Sequence, residues 1–161
     1  VYTHNDVIGV ELGGAVKNVI AIAAGMIDGL GLGLNTRAAL ITRGMAEIRR
    51  LGVRMGANPR TFTSSAGIGD LILTCTGTLS RNHTVGKQIG QGKTNDQILS
   101  NMHMVAEGVR TSKSVYNLSN SLEVEMPICH AIYHILYEGL SPQKALNDLM
   151  TRDLKQELDL H

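Results

Sequence analysis

A chain of 161 residues with fifteen Lys plus Arg against fourteen Asp plus Glu carries a formal charge of +1, which excludes a uniformly basic nucleic-acid binder and an acidic disordered tail. Hydrophobic residues make up 43% of it, enough for the core of one domain and too many for a disordered segment. With no Trp, four Tyr and one Phe, it lacks the aromatic platforms on which nucleic-acid bases stack.

The chain opens Val1-Tyr2-Thr3-His4 without an initiator Met, a basic leader or an apolar signal core, so it reads as neither a signal peptide nor a natural beginning. The most apolar run, residues 12–27, is sixteen residues long and contains Lys17 and Asn18. That falls short of the ~20 needed to span a bilayer, and a soluble, cytoplasmic protein without membrane insertion is expected. Residues 10–27 are apolar nearly all round, the mark of a central helix. Lys17 lies in the middle, and its helical neighbours Gly13, Gly14, Ala21, Ala24 and Gly25 are all small. Such a face lets a backbone or a ligand come close to the ammonium. Lys17 therefore serves proton transfer, or else it snorkels to solvent or pairs structurally.

Gly29-Leu30-Gly31-Leu32-Gly33 follows a helix rather than a strand and lacks the third glycine of a dinucleotide turn, so it predicts a helix stop and a loop. Residues 36–55 place Leu40, Ile41, Met45, Ile48, Leu51 and Met55 on one helical face, with Asn35 and Thr36 as caps. Arg43 and Glu47, four apart, are expected to pair on its polar side. Asp70 then stands between the glycines 67 and 69 and an apolar run, with Thr74 one turn further on. Asp70 is either a helix cap or the carboxylate that balances Lys17. In Ser80-Arg81-Asn82 a cap, a guanidinium and first-turn amides converge. They form an anion site or an ordinary cap with a solvated Arg.

Short helices are expected near 71–75, 82–90, 94–101 and 108–119. Met126-Pro127 opens a helix with Ile128, Ala131, Ile132, Ile135 and Leu136 on one stripe, closing at Gly139. Ser141-Pro142 opens another, carrying Ala145, Leu146, Leu149 and Met150. No alternating strand is found, so the fold class is all-α, a multi-helix domain. Cys75 and Cys129 lack CxxC spacing and predict reduced thiols rather than a disulfide or zinc site. His130 and His134 share a helical face but have no third ligand, so no metal is expected. Met102, Met104 and Met126 read as core filling. The eighteen glycines each cost roughly 1 kcal/mol inside a helix relative to Ala; close packing or a ligand-facing surface would account for them.

Four motifs occur in order: Gly13-Gly14-Ala15-Val16-Lys17-Asn18-Val19, Gly67-Ile68-Gly69-Asp70-Leu71 with Thr74-Cys75, Ser80-Arg81-Asn82, and Val105-Ala106-Glu107-Gly108. Through them the chain resembles the C-terminal domain of bacterial NAD(P)-dependent glycerol-3-phosphate dehydrogenases, from about Val7 to Thr151. The resemblance implies a helical domain like the C-terminal domain of 6-phosphogluconate dehydrogenase, with residues 1–161 forming a substrate-binding, catalytic-lysine unit. It implies that Lys17 exchanges the proton of the 2-hydroxyl, with Asp70 as its acidic partner. Asn18, Thr74, Ser80, Arg81 and Asn82 would bind glycerol 3-phosphate or dihydroxyacetone phosphate. Arg81, Val105 and Glu107 would touch NAD or NADP, held mainly by a Rossmann domain not contained in this chain. Glycerophospholipid synthesis would use the product. Separately from the resemblance, an exposed apolar helix face would allow a homodimer. His83 stands where the resemblance leads one to expect Arg. Two other readings stay open: a dehydrogenase of the same fold for a different hydroxy acid, and a non-catalytic helical interaction module.

Overall fold

A computed structural model of the chain describes residues 5–77, 79–94, 97–98 and 106–151. Among them seven α-helices follow one another and no strand occurs: α1 (Val7–Gly29), α2 (Leu34–Arg54), α3 (Asp70–Thr76), α4 (Arg81–Gly90), α5 (Glu107–Ser121), α6 (Pro127–Glu138) and α7 (Pro142–Met150). Between α2 and α3 run a 3-10 turn, Pro59–Thr63, and a π-turn, Ser65–Gly69. Of the helix expected at 94–101, Gln97 and Ile98 are helical; the rest, with Met102, Met104 and Val105, lies mostly outside the described residues.

α1 is the axis of the bundle, packed against α2, α3, α4, α5 and α6. Val16, Val19, Ile20, Ala21, Ile22 and Ala24 are fully buried, as Met26 and Ile27 nearly are. Each large apolar side chain so buried contributes about 1.5–3 kcal/mol. The N-terminal turn is different: Val7 and Ile8 are exposed, so the helix is not apolar-buried along its whole length. At 23 residues it is also longer than the sixteen-residue apolar run, and by length and composition alone it could cross a membrane. Here its C-terminal half forms the centre of the core.

Asp6 starts α1. Its carboxylate accepts from the Gly9 amide at 2.9 Å, the Asn58 amide at 2.9 Å and the Thr61 hydroxyl at 2.5 Å, joining the helix cap to the 3-10 turn. The stop after α1 is as expected, with Gly31 at φ +73°. α2, however, begins two residues before Thr36, with Gly33 as N-cap and no capping side chain. Asn35 and Thr36 therefore lie within its first turn. Ile41, Ile48 and Leu51 face the core as the periodicity requires, while Met55, at the C-cap, is exposed.

The expected Arg43–Glu47 surface pair does not form. Glu47 is 1% exposed, and its carboxylate accepts from the Ile128 amide at 2.7 Å and the Cys129 amide at 3.1 Å. It satisfies the first free N–H groups of α6, a helix with Pro127 at its start and no side-chain cap of its own. Burial pushes the Glu47 carboxyl up to about 7, against the opposing pull of those two amides. α6 ends at Gly139, φ +73°, and Ser141 caps α7 by accepting from the Lys144 amide at 3.2 Å. Cys75 and Cys129 are free and buried.

α4 lies directly against α1 through glycines. A Cβ on Gly25 would stand 2.0 Å from the His83 carbonyl oxygen, on Gly29 2.3 Å from that of Lys87, on Gly86 1.9 Å from that of Ile22, and on Gly90 2.4 Å from that of Met26. Each helix supplies two glycines four residues apart, one turn of one face. Gly13 and Gly14 are unlike these, because a Cβ there would meet nothing within 4 Å.

Two outcomes follow. Gly86→Ala should destabilise the chain by about 1–3 kcal/mol or more in chemical denaturation, while Gly14→Ala should be neutral or stabilising by up to about 1 kcal/mol. Because the folded-state carboxyl of Glu47 lies above its unfolded value of 4.5, its contribution is fully present below about pH 4.5 and is lost as pH rises toward 7. Compared with Glu47→Gln, the native chain should lose on the order of 3 kcal/mol between pH 4.5 and 8, measured as unfolding free energy; parallel profiles would contradict this.

Candidate active site

The site is assembled from the middle of α1 and the first turns of α3, α4 and α5. One extended residue, Ser64, separates the 3-10 turn from the π-turn, which runs directly into α3, and Phe62, 1% exposed, anchors the segment under Gly52 and Gly67. This delivers Asp70 to Lys17: Lys17 Nζ donates to Asp70 Oδ2 across 53 residues of sequence. Asp70 does not cap its own helix through its side chain, so of the two expectations for it the pairing is the one observed. Thr74 shares the face, its hydroxyl donating to the Asp70 carbonyl at 2.7 Å.

The pair is not sealed in the core. Side-chain exposure is 23% for Lys17 and 35% for Asp70, so the contact contributes about 0–1 kcal/mol to stability after solvent screening. The small residues around Lys17 divide by direction. Ala21, Ala24 and Gly25, toward the C-terminus, are buried against neighbouring helices. Toward the N-terminus Gly13 is also buried and Gly14 half-buried, but a Cβ at either would meet nothing within 4 Å.

Next to Lys17, Asn18 joins a chain of amides. Asn82 Nδ2 donates to Asn18 Oδ1 at 3.0 Å, and the Gly108 amide donates to Asn82 Oδ1 at 2.9 Å. A Cβ on Gly108 would stand 2.6 Å from the Asn18 carbonyl oxygen, so only glycine lets α5 come this close. Asn82 is 8% exposed and its side chain fastens α1, α4 and α5 together. The sequence motifs contained all three residues but not this connection, which depends on contacts 26 and 64 residues apart.

Ser80 is the N-cap of α4, its Oγ accepting from the His83 amide at 3.3 Å. Arg81 is the first helical residue and is exposed. Glu107, also exposed, begins α5 immediately before Gly108. The Asn82–Gly108 bond thus sets the starts of α4 and α5 side by side, with Arg81 on one and Glu107 on the other. A guanidinium and a carboxylate on neighbouring helix starts could meet an anion and hydroxyl groups of a ligand. The loop 29–33, following a helix, offers no dinucleotide turn.

His130 and His134 are engaged elsewhere. His130 Nε2 lies 2.7 Å from the Ser119 hydroxyl, and His134 Nδ1 lies 2.8 Å from Glu138 Oε2. No cluster of three or more metal-ligating side chains exists among the described residues. An apolar-lined cavity of about 50 Å³ lies between α1, α2, α6 and α7, and another cavity, of about 310 Å³, between α6 and α7. Neither is lined by Lys17, Asp70 or Arg81.

The model of one protein family, the C-terminus of NAD-dependent glycerol-3-phosphate dehydrogenase, matches residues 6–147, and the chain belongs to this family. It is 64% identical over 157 residues to the NAD(P)+ glycerol-3-phosphate dehydrogenase of Citrifermentans bemidjiense and 56% identical over 157 residues to that of Staphylococcus aureus. In both cases 98% of this chain aligns with 47% of the relative. The crystal structure of glycerol-3-phosphate dehydrogenase from Coxiella burnetii superposes with a TM-score of 0.91 at 44% identity, covering 94% of this chain and 46% of that one. The Saccharomyces cerevisiae enzyme gives 0.81 at 31% identity, with coverages of 91% and 43%. The chain spans about half the length of the curated relatives it matches.

If the Lys17–Asp70 pair is maintained for chemistry rather than for folding, Lys17→Met and Asp70→Asn should each change the unfolding free energy by less than about 1 kcal/mol. A loss of several kcal/mol in urea denaturation would instead make the pair structural.

Proposed function

We propose that residues 1–161 form the substrate-binding, catalytic-lysine domain of an enzyme that interconverts sn-glycerol 3-phosphate and dihydroxyacetone phosphate with NAD or NADP. The observation that carries this reading is the partly exposed Lys17–Asp70 pair, next to Asn18 and so beside the fastened N-terminus of α4.

In the oxidation direction Lys17 Nζ, as the neutral amine after giving one proton to solvent, accepts the proton of the C2 hydroxyl as hydride leaves C2 and the C–O bond becomes a carbonyl. Asp70 orients Nζ and stabilises the ammonium that forms. A bound nicotinamide would supply the hydride acceptor for C2 and, in the reverse direction, the hydride donor. In reduction Lys17 polarises the ketone oxygen and donates its proton to the alkoxide. The substrate phosphate is held by the Ser80 hydroxyl, backbone amides at the start of α4 and the Arg81 guanidinium. Asn18 and Thr74 flank the hydroxyl end, and Asn82 keeps the α4 start in place. Arg81, Glu107 and Val105 would meet the dinucleotide, whose main support is a Rossmann domain in the rest of a longer protein.

The same reading makes the enzyme cytoplasmic and a supplier of glycerol 3-phosphate to glycerophospholipid synthesis. These parts rest on the family resemblance; the burial of the C-terminal half of α1 supports an enzyme that does not insert in membranes.

In the full-length protein, Lys17→Ala should lower kcat by roughly 10²–10⁴-fold while leaving the protein folded. Arg81→Ala should raise KM for glycerol 3-phosphate by about tenfold or more. Retained turnover in Lys17→Ala would favour the non-catalytic helical module, and a substrate preference unaffected by Arg81→Ala would favour an unphosphorylated hydroxy acid. The 161 residues alone should show no NADH formation with millimolar substrate and cofactor; measurable turnover would overturn the need for a second domain.

A further inference from the structure

Resting on the function proposed above, the geometry points to His83 as a positioning residue for the phosphate-holding end of α4, acting through Asp28. His83 is the third residue of α4 and belongs to the turn that carries Ser80 and Arg81. Its backbone amide donates to Ser80 Oγ at 3.3 Å. Its ring Nε2 is 2.9 Å from Asp28 Oδ2, near the end of α1. The same oxygen accepts from Arg37 Nη1 of α2 at 2.7 Å. An ionised carboxylate only accepts hydrogen bonds, so the imidazole presents Nε2–H to it. One oxygen thereby ties together α1, α2 and α4.

The arrangement is shielded but not sealed, with side-chain exposures of 12% for His83, 23% for Asp28 and 22% for Arg37. Shielding strengthens charge-assisted bonds relative to those in open water.

The position of this tie matters more than its strength. Asn82, the preceding residue, is fastened to Asn18 and Gly108. Asn18 and Asp28 are ten residues apart on α1, roughly 15 Å at helical rise. The first turn of α4 is therefore fastened by consecutive side chains to two separated points on one rigid helix. Two separated ties fix an orientation more tightly than one. With the His83–Asp28 tie removed, the glycine seam still holds the α4 backbone, but side chains fasten the first turn on its Asn82 side alone, and the aim of the Ser80 hydroxyl and the Arg81 guanidinium is held less tightly. The loss therefore falls on direction rather than on folding.

The test uses the full-length protein with His83→Ala, Asp28→Asn and the conservative His83→Gln, which can still donate toward Asp28. Read-outs are kcat, KM for glycerol 3-phosphate, competitive inhibition by inorganic phosphate, and melting temperature. Expected for His83→Ala and Asp28→Asn is a rise of about tenfold in KM and in the phosphate inhibition constant, with kcat within about threefold of the parent, and partial recovery of both constants in His83→Gln. Unchanged KM and phosphate inhibition, with only a lower melting temperature, would make the tie structural and overturn the inference while leaving the proposed function intact. Absence of glycerol 3-phosphate oxidation by the unsubstituted protein would overturn the proposed function, and this inference with it. If His83→Ala fails to fold, Asp28→Asn and His83→Gln carry the comparison, with the same outcomes deciding.

Discussion

Backbone-to-backbone packing of α1 on α4 is the constraint on which the rest of the molecule depends. Gly25 and Gly29 on one helix, and Gly86 and Gly90 on the other, each meet the backbone of the opposite helix at distances that admit no Cβ. Glycine in a helix is costly, and four such positions on one seam are intelligible only if close approach returns more than it costs. What it returns includes the placement of the α4 start beside Asn18, where the Asn82 amide can bridge to α5. A wider seam would leave that amide short of its partners, and the Ser80–Arg81 turn would no longer be fixed relative to Lys17.

Two carboxylates in the structure show how differently a protein uses charge. Glu47 is buried and spends its oxygens on backbone amides of α6, a cap supplied from another helix. Asp70 meets the ammonium of Lys17 with both groups still reachable from solvent. The first arrangement completes a fold, and its cost appears as a carboxyl raised to about 7. The second adds little to stability. A pair of that kind is suited to meeting a ligand.

Much of this was legible in the residue order because the signals are local. Pro127, Gly139 and Ser141–Pro142 mark helix ends whose physics involves only neighbouring residues, and the structure has those ends. Ser80 caps α4 as its pattern predicts. Lys17 stood out because an ammonium in an apolar helix demands an explanation, and Asp70 was already among its possible partners. Glu47 was misread for the complementary reason: Arg43 and Glu47 fit a local spacing rule, but the group that needs the carboxylate lies 81 residues away. Asn35 and Thr36 failed as caps because α2 starts earlier, at a glycine. The π-turn at 65–69 has no sequence pattern of its own. The eighteen glycines could be seen as costly, yet which of them carry a neighbouring backbone and which border open space depends on partners that only the fold supplies.

The central claim is that Lys17 and Asp70 are coupled for chemistry and not for folding. A double-mutant cycle with Lys17→Met and Asp70→Asn in the full-length protein tests this most directly, when unfolding free energy and kcat/KM for glycerol 3-phosphate are read on the same four proteins. The account predicts a stability coupling below about 1 kcal/mol, together with large and strongly non-additive losses in kcat/KM, as for residues acting as a unit. A stability coupling of several kcal/mol with kcat/KM nearly unchanged would contradict it.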